Sequence, residues 1–518
     1  MTASPAQPKP EAGVRGEISL LLRQSSHYLL GLAGTMALGL VSFPIFTRVL
    51  PVADYGVIDL VQKILLVVTA IAKLGLSNSA LRFYDAKEFA SNPEAGRRYY
   101  STLFFGMLGP GLLVAAMYAA IVRLFAPGGG ASGLVVSLMV SALLVVPRSA
   151  QTMFWSFLRV EERTKTYNVL VIVLKAATIA VILVLIHWSR PSAEIYFLAT
   201  ALVETALVIA LTVPMLRRGM LGLSRFDTSY FAAMFSFGIP LVVNEISYVF
   251  LDAADRALVQ RYLGDTELGM YAVAYGLASM IQGFLMTPLN LAVLPMYMRL
   301  WNAGERQKTI DFLSTGLDLL ILGGAGLFVV VSASAHDLVL LSASSKYLGA
   351  DALIPPIFGG LLIFTSYFFV NAGLMIGKKT ARLAGVMAAS AVVNIALNCA
   401  LLPHMGLRGA ALATLLSYAF CIGLMALVSY RELPLRIEWK RLAGYGVATA
   451  AALAGSGLVH PKAVLVSALT KAALSAAIYF AVLFLIDPHV RRMASVLAVW
   501  IGQRNRDTGS NSTPGCAL

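Results

Sequence analysis

The chain has 518 residues, of which 58% are hydrophobic and 13% charged, with a mean hydropathy of +0.78 and a formal net charge of +14. That is too little charge to cover a soluble protein of this size. The apolar residues fall in separate blocks of about 20, the length a helix needs to cross a bilayer, and the blocks do not alternate as outer-membrane strands do. The expected class is an all-α polytopic membrane protein.

Residues 1–25 are polar and Pro-rich, with no short apolar core before a small-residue cleavage site, so we expect a cytoplasmic N-terminal segment and no cleaved signal. Fourteen spans follow, at approximately 26–47, 55–81, 99–125, 133–158, 167–188, 194–216, 231–253, 269–298, 311–333, 350–377, 383–402, 409–429, 442–459 and 464–486. Residues 487–518 end the chain as a polar cytoplasmic tail, expected to be disordered. Its terminal Cys-Ala-Leu is one residue short of a prenylation box. Cys399, Cys421 and Cys516 lack the paired spacing of a disulfide framework or a metal site.

Lys and Arg set the orientation. The N-terminal segment, the even-numbered loops and the tail carry 27 of the 40, and the odd-numbered loops carry 8. Both termini are therefore expected in the cytoplasm. The split accounts for most of the positive charge as topology, so no nucleic-acid partner is needed.

The hairpin between spans 1 and 2 returns later in the chain. RVLPVADYG (48–56) aligns with RYLGDTELG (261–269) at an offset of 213, matching Arg48, Leu50, Asp54 and Gly56 to Arg261, Leu263, Glu267 and Gly269. At the same offset GLSNSALRFY (75–84) falls opposite PLNLAVLPMY (288–297). Six spans separate the copies, so both run in the same direction, as in the parallel repeats of two-lobed transporters. The expected organisation is a first six-helix lobe over 26–216, a cytoplasmic linker over 217–230, a second lobe over 231–429 around a shared central cavity, and two extra helices over 442–486. In the first hairpin Pro51 helps end span 1, Asp54 can cap span 2, and Gly56 permits close approach. A structural turn is the reading for these residues, not a ligand site.

Ionisable residues inside spans are costly and usually face a partner or a wet cavity. Arg148 lies mid-span just after Pro147, and either faces a cavity or sits in an ion pair. Lys63 is similarly deep, with Asp59 one turn away as an i,i+4 partner. Lys175 has no acid in its own span, and Lys73 is near enough to a span end to snorkel. Several fixed cations in a low-dielectric cleft suit a phosphate-bearing substrate. The acids Glu204, Glu245, Asp59 and Asp318 are candidates for ion coupling or for pairing with cations. Asp252, Asp255 and Arg256, at spacings of three and one, form an interfacial pairing set or an outer gate. Lys471, outside both lobes, reads as a snorkelling residue. No histidine pairs at i,i+4 with another metal-type ligand, and no cofactor is expected.

The hairpin R-x-L-x-x-x-x-Y-G, the following GLSNSALRFY, the stretch 235–275 and VVNIALNCALLPHMGLRGAALATLLSY (392–418) together resemble the Wzx-type polysaccharide flippases. These are lipid-linked oligosaccharide exporters of the multidrug/oligosaccharidyl-lipid/polysaccharide (MOP) superfamily. In that family a Gly-x-Pro opens helix 7 (here Gly238 and Pro240), an Asp-Arg closes it (Asp255, Arg256) and a Gly-x-Tyr opens helix 8 (Gly269, Tyr271). Asn394, Asn398, Gly406 and Gly409 fall in the matching helix 11–12 hairpin. The Gly-Phe-x-Arg signature of peptidoglycan-precursor flippases is missing from span 1. The resemblance covers roughly 26–430. It implies alternating access that moves a polyprenyl-pyrophosphate-linked glycan across the bacterial inner membrane, coupled to H+ or Na+, with a polysaccharide polymerase as partner. The alternatives are an ion-coupled multidrug exporter of the same superfamily, which would favour acids and aromatics in its cavity, and a membrane polymerase or glycosyltransferase. The last needs a sizeable external loop or an acid pair, and the sequence has no Asp-x-Asp.

Overall fold

The computed structural model describes residues 34–126, 132–457, 461 and 463–492, apart from the side chains of 243–244, 247–248, 251–252 and 290–291. The N-terminal segment, most of the tail and the Asp252 side chain therefore lie outside the described residues. Those described form helices and turns, with no strand among them. Eleven helices are long and apolar enough to cross a membrane, and shorter apolar stretches cover Gly34–Val49 and Thr228–Val242. Length and composition thus support an all-α polytopic protein without fixing the count at fourteen.

The chain divides into two compact units, Met1–Ala272 and Val273–Leu518. Unit 1 opens with α1 (Gly34–Val49), then α2 (Val52–Ala72), α3 (Leu76–Arg82) and α4 (Ala86–Ser91). It continues with α5 (Pro93–Phe125), α6 (Gly133–Ser141), α7 (Val145–Val160), α8 (Thr164–Trp188), α9 (Ala193–Arg217), α10 (Thr228–Leu263) and the start of α11 (Asp265–Asn302).

Three expected spans are broken: 350–377 into three short helices of unit 2, and two spans of unit 1, each of these for a local reason. Span 2 divides between α2 and α3, where Leu74 and Gly75 both take positive φ, 50° and 70°. Span 4 divides into α6 and α7 around a 3-10 turn at Ala142–Leu144. Pro147 follows directly; it has no N–H to donate and its ring crowds the carbonyl four residues back. Arg148 therefore leaves from the first turn of a restarted helix rather than from the middle of an unbroken one.

Span 7 starts earlier and ends later than expected. Asp227 caps α10 by accepting the N–H groups of Ser229 and Tyr230. The family's opening Gly-x-Pro therefore lies three turns inside the helix, and Asp255-Arg256 lies two turns before its end. Gly269 and Tyr271 likewise sit in the first turns of α11, after its start at Asp265.

Unit 1 is organised around an apolar core in which Leu50, Val61, Leu65, Leu144, Ile182 and Phe197 are buried. A second cluster is aromatic-rich, with Tyr99, Tyr100, Phe154 and Phe157 packed around Leu76 and Met234. Together they fix the rotation of α2, α7 and α9, and so decide which polar side chains meet.

Unit 2 contains the rest of α11, α12 (Arg306–Ala333), α13 (Ala335–Ser342), α14 (Ile354–Thr365), α15 (Tyr367–Val370), α16 (Ala372–Ile376), α17 (Thr380–Met405), α18 (Leu407–Tyr430), α19 (Trp439–Ser456) and α20 (Val464–Ile486). Its last two helices pack on α12 through buried Tyr445 and Tyr479, and Tyr479 donates to the Leu322 carbonyl at 2.8 Å.

Candidate functional site: the charged seam of unit 1

The α2 segment lies against α10, and glycines bring the backbones together at both ends of that seam. At the N-terminal end Gly56 faces the first turn of α11. A Cβ on Gly56 would fall 2.8 Å from the Leu268 carbonyl carbon and 2.9 Å from the Asp265 oxygen, and one on Gly269 would fall 2.8 Å from the Val52 carbonyl carbon. The two glycines matched by the sequence repeat thus touch each other. At the other end Gly75 meets Gly238. A Cβ on Gly75 would lie 2.7 Å from Gly238 Cα, and its φ of 70° independently disfavours a side chain. Ser79 then donates to the Met234 carbonyl at 2.6 Å.

Charge sits between these contacts. Arg256 is 1% exposed, and its Nε donates to Asp59 Oδ2 at 2.6 Å while its Nη1 donates to Asp255 Oδ1 at 3.1 Å. The Tyr271 hydroxyl donates to the other oxygen of Asp255. One guanidinium is thus held by two carboxylates from different helices, and the geometry is that of a lock with little solvent access. Further along, Lys73 Nζ donates to Glu245 at 2.8 Å. Lys73 was expected to snorkel; it is three-quarters or more covered and turned to a carboxylate. Lys63 is half-buried on the same helix.

Arg148 is joined to a second helix pair. Its Nε donates to Glu204 Oε2 at 3.2 Å, and its Nη1 donates to Gln62 Oε1 at 2.9 Å. Gln62 in turn donates to the Tyr196 hydroxyl at 3.2 Å. The chain Glu204–Arg148–Gln62–Tyr196 links α9, α7 and α2. Lys175 of α8 donates to the Thr35 carbonyl of α1 at 3.0 Å, and Gly39 leaves room beside its ammonium. No carboxylate pairs with Lys175 among the described residues.

Asp54 does not cap its own helix. Pro51 occupies that position, and the Asp54 carboxylate accepts the Ala193 N–H at 2.8 Å, at the start of α9. Asp318 belongs to unit 2, where it accepts from Arg441 at 3.2 Å and from the Tyr445 hydroxyl at 3.0 Å. Lys471 does not snorkel: it donates to buried Asp337 at 2.9 Å, beside Ser467 at 3.0 Å. The structure therefore joins Asp59, Asp255 and Arg256, then Lys73 with Glu245, then Arg148 with Glu204. It leaves Asp318 outside that group. Gln62, Tyr196, Tyr271 and Gly75 are participants that a search for charged residues passes over.

A family model described as "Polysaccharide biosynthesis protein" matches residues 21–301, more than half of the chain. The chain belongs to the polysaccharide biosynthesis protein family. The matched segment includes all of α1 to α10 and all but the last residue of α11, and with them every residue of the seam. No curated protein matches by sequence. Among solved structures, the family member shares its fold with a lipid II flippase MurJ in an inward closed conformation, at a TM-score of 0.70 and 12% identity, covering 90% of this chain and 98% of that one. It is also similar to a multidrug resistance MATE transporter of the MOP superfamily in its inward-facing form (TM-score 0.58, 13% identity, 77% and 94% covered) and to an outward-facing one (0.54, 12%, 80% and 95%). The chain therefore has the fold that these three structures share.

Proposed function

We propose that this protein is a flippase that carries a polyprenyl-pyrophosphate-linked oligosaccharide from the cytoplasmic to the external leaflet of the bacterial inner membrane, for surface polysaccharide biosynthesis. The observation that carries the reading is the family match over 21–301. The charged seam supports it. Intramembrane ions are costly and tend to mark a transport path, and a pyrophosphate headgroup calls for cations such as Arg148, Lys63, Lys73 and Lys175. In this reading Asp59, Asp255 and Arg256 form a gate that opens during the cycle, and Glu204, Glu245 or Asp318 passes a proton or sodium ion. Both termini lie in the cytoplasm, and the protein works by transport rather than by making or breaking bonds.

The test is made in the host. Deletion should abolish the surface polymer and raise the pool of polyprenol-linked sugar facing the cytoplasm, and the wild-type chain should restore both. Lys175→Met, and the paired replacement Arg148→Met with Glu204→Gln, should accumulate normally in the membrane yet fail to restore export. The pair is replaced together because removing one partner alone leaves a buried charge. Unchanged surface polymer and lipid-linked pools, with falling resistance to cationic dyes, would overturn this reading in favour of a drug exporter.

A further inference from the structure

Away from the seam, unit 2 has a groove of about 490 Å³ between α17 and α18. Its walls are Val386, Leu424, Leu427 and Val428, and its mouth carries Arg382 and Arg431. Leu427 is 72% exposed. Gly385 opens the groove further, since a Cβ there would meet nothing within 4 Å.

The two arginines lie at one membrane level. Arg382 is in the first turn of α17, and Arg431 follows the last residue of α18. Leu424 is seven residues earlier, about 10 Å deeper along the helix. The groove is thus apolar at acyl-chain depth and cationic at headgroup depth. The Lys/Arg tally assigns this end to the cytoplasmic face.

The local charge is positive. Lys378, Lys379, Arg382 and Arg431 face one nearby acid in the sequence, Glu432. Glu432 is already engaged by Lys379, with Arg382 Nη1 at 3.6 Å. Arg431 is exposed and has no acid partner among the described residues. A guanidinium fork suits a phosphodiester, and its stem can lie along the apolar wall.

We infer that this groove binds an anionic phospholipid of the surrounding bilayer, with an acyl chain along Gly385 and Leu424 and the phosphate between Arg382 and Arg431. The charge complementarity at the mouth selects a lipid with a net negative headgroup over a zwitterionic one. The site is separate from the transported glycolipid and does not depend on the flippase reading.

Native mass spectrometry of the purified protein tests it, with phosphatidylglycerol and phosphatidylcholine of matched acyl chains as probes. The wild-type chain should retain phosphatidylglycerol in preference to phosphatidylcholine. Arg431→Gln should weaken that retention by about fivefold, the worth of one basic side chain near an anionic headgroup. Arg382→Gln with Arg431→Gln should remove the preference. Gly385→Leu fills the groove with the charges intact, and should reduce retention of both lipids. Arg218→Gln, in another basic loop, should change nothing. Thermal melts identify any variant that misfolds, and the arginine variants decide the question if Gly385→Leu is one of them. Equal retention of the two lipids by the wild-type chain, or undiminished phosphatidylglycerol on the arginine variants, overturns the inference. Loss of a dimer in Gly385→Leu with lipid counts unchanged would assign the groove to a second copy of the chain.

Discussion

In unit 1 the packed helices are crossed by charge, whereas the interior of unit 2 is held mainly by neutral hydrogen bonds. Arg256, Asp59 and Asp255, the Lys73–Glu245 pair and the Arg148–Glu204 pair all join different spans of unit 1, or neighbours on them. In unit 2 Asn394 donates to Ser417 at 2.9 Å, Gln282 to the Leu361 carbonyl at 2.7 Å, and the Tyr275 and Tyr418 hydroxyls lie 2.9 Å apart. Its ion pairs, the half-buried Asp318–Arg441 and the more deeply covered Asp337–Lys471, fasten α19 and α20 to α12 and α13. Neutral bonds are enough to hold helices in a fixed arrangement. Buried ions are seldom a better structural solution than apolar residues of equal volume. Charge concentrated along one seam is what the proposed gate would need, and neutral bonding suits a part that keeps its internal shape.

The largest effect is expected of Arg256→Met. It leaves two carboxylates facing each other without their cation, and should lower stability by about 3–5 kcal/mol. Thermal unfolding in detergent reads this as a large fall in Tm, and adding Asp255→Asn should recover part of it. The contrasting change in unit 2, Asn394→Ala, removes one neutral interhelical bond and should cost about 0.6–2 kcal/mol. Equal losses from the two changes would remove the distinction between the units.

A smaller effect is expected at the glycine contacts. Gly269→Ala places a methyl against the Val52 backbone, which cannot rotate away as a side chain can. Overpacking of this kind costs about 1–3 kcal/mol. Because the strain falls on the seam, export should fall further than the melting temperature suggests. Gly385→Ala is the control: its Cβ meets open space in unit 2 and should leave export intact. Complementation of the deletion strain alongside thermal melts separates these outcomes.

Much of this architecture is legible in the sequence. Hydropathy locates the spans, and the repeat at an offset of 213 marks Gly56 and Gly269 as special before any contact is seen. What the sequence reading lacked were the partners. Asp59 has Lys63 four residues away on its own helix, yet it is met by Arg256, 197 residues distant. Lys73 meets Glu245, 172 residues on, and Arg148 meets Glu204, 56 residues on, each on a different helix. Such pairings depend on the rotation of each helix about its axis, which the buried apolar residues of the whole unit decide. The break after Lys73 was missed because Leu74 is not a residue that advertises a left-handed backbone. The reassignment of Asp54 has the same origin: a carboxylate near one helix start is available to any other helix start that packs beside it.

The smallest expected effect concerns the surface, where the two units should behave alike. In unit 1 Asp227 lies outside the spans; the Ser229 hydroxyl, the Tyr230 N–H and Arg98 hold its carboxyl well below the usual aspartate value. In unit 2 the ammonium of Lys379, followed by the charge of Arg382, holds Glu432 below its ordinary value of 4.5. A carboxylate whose pKa is lower in the folded state stabilises fully above its unfolded value. That contribution is lost as pH falls through the folded value. Both groups should therefore add nothing new between pH 5 and 8 (about the range in which carboxylates remain ionised) and lose their effect in stronger acid. Melting curves between neutral pH and about pH 3 should show the loss in the wild-type chain, and Glu432→Gln should flatten its share of it. If Glu432→Gln instead lowered stability at neutral pH as much as Arg256→Met, surface and buried ion pairs would have to be treated as one class, and the seam would lose its claim to be different.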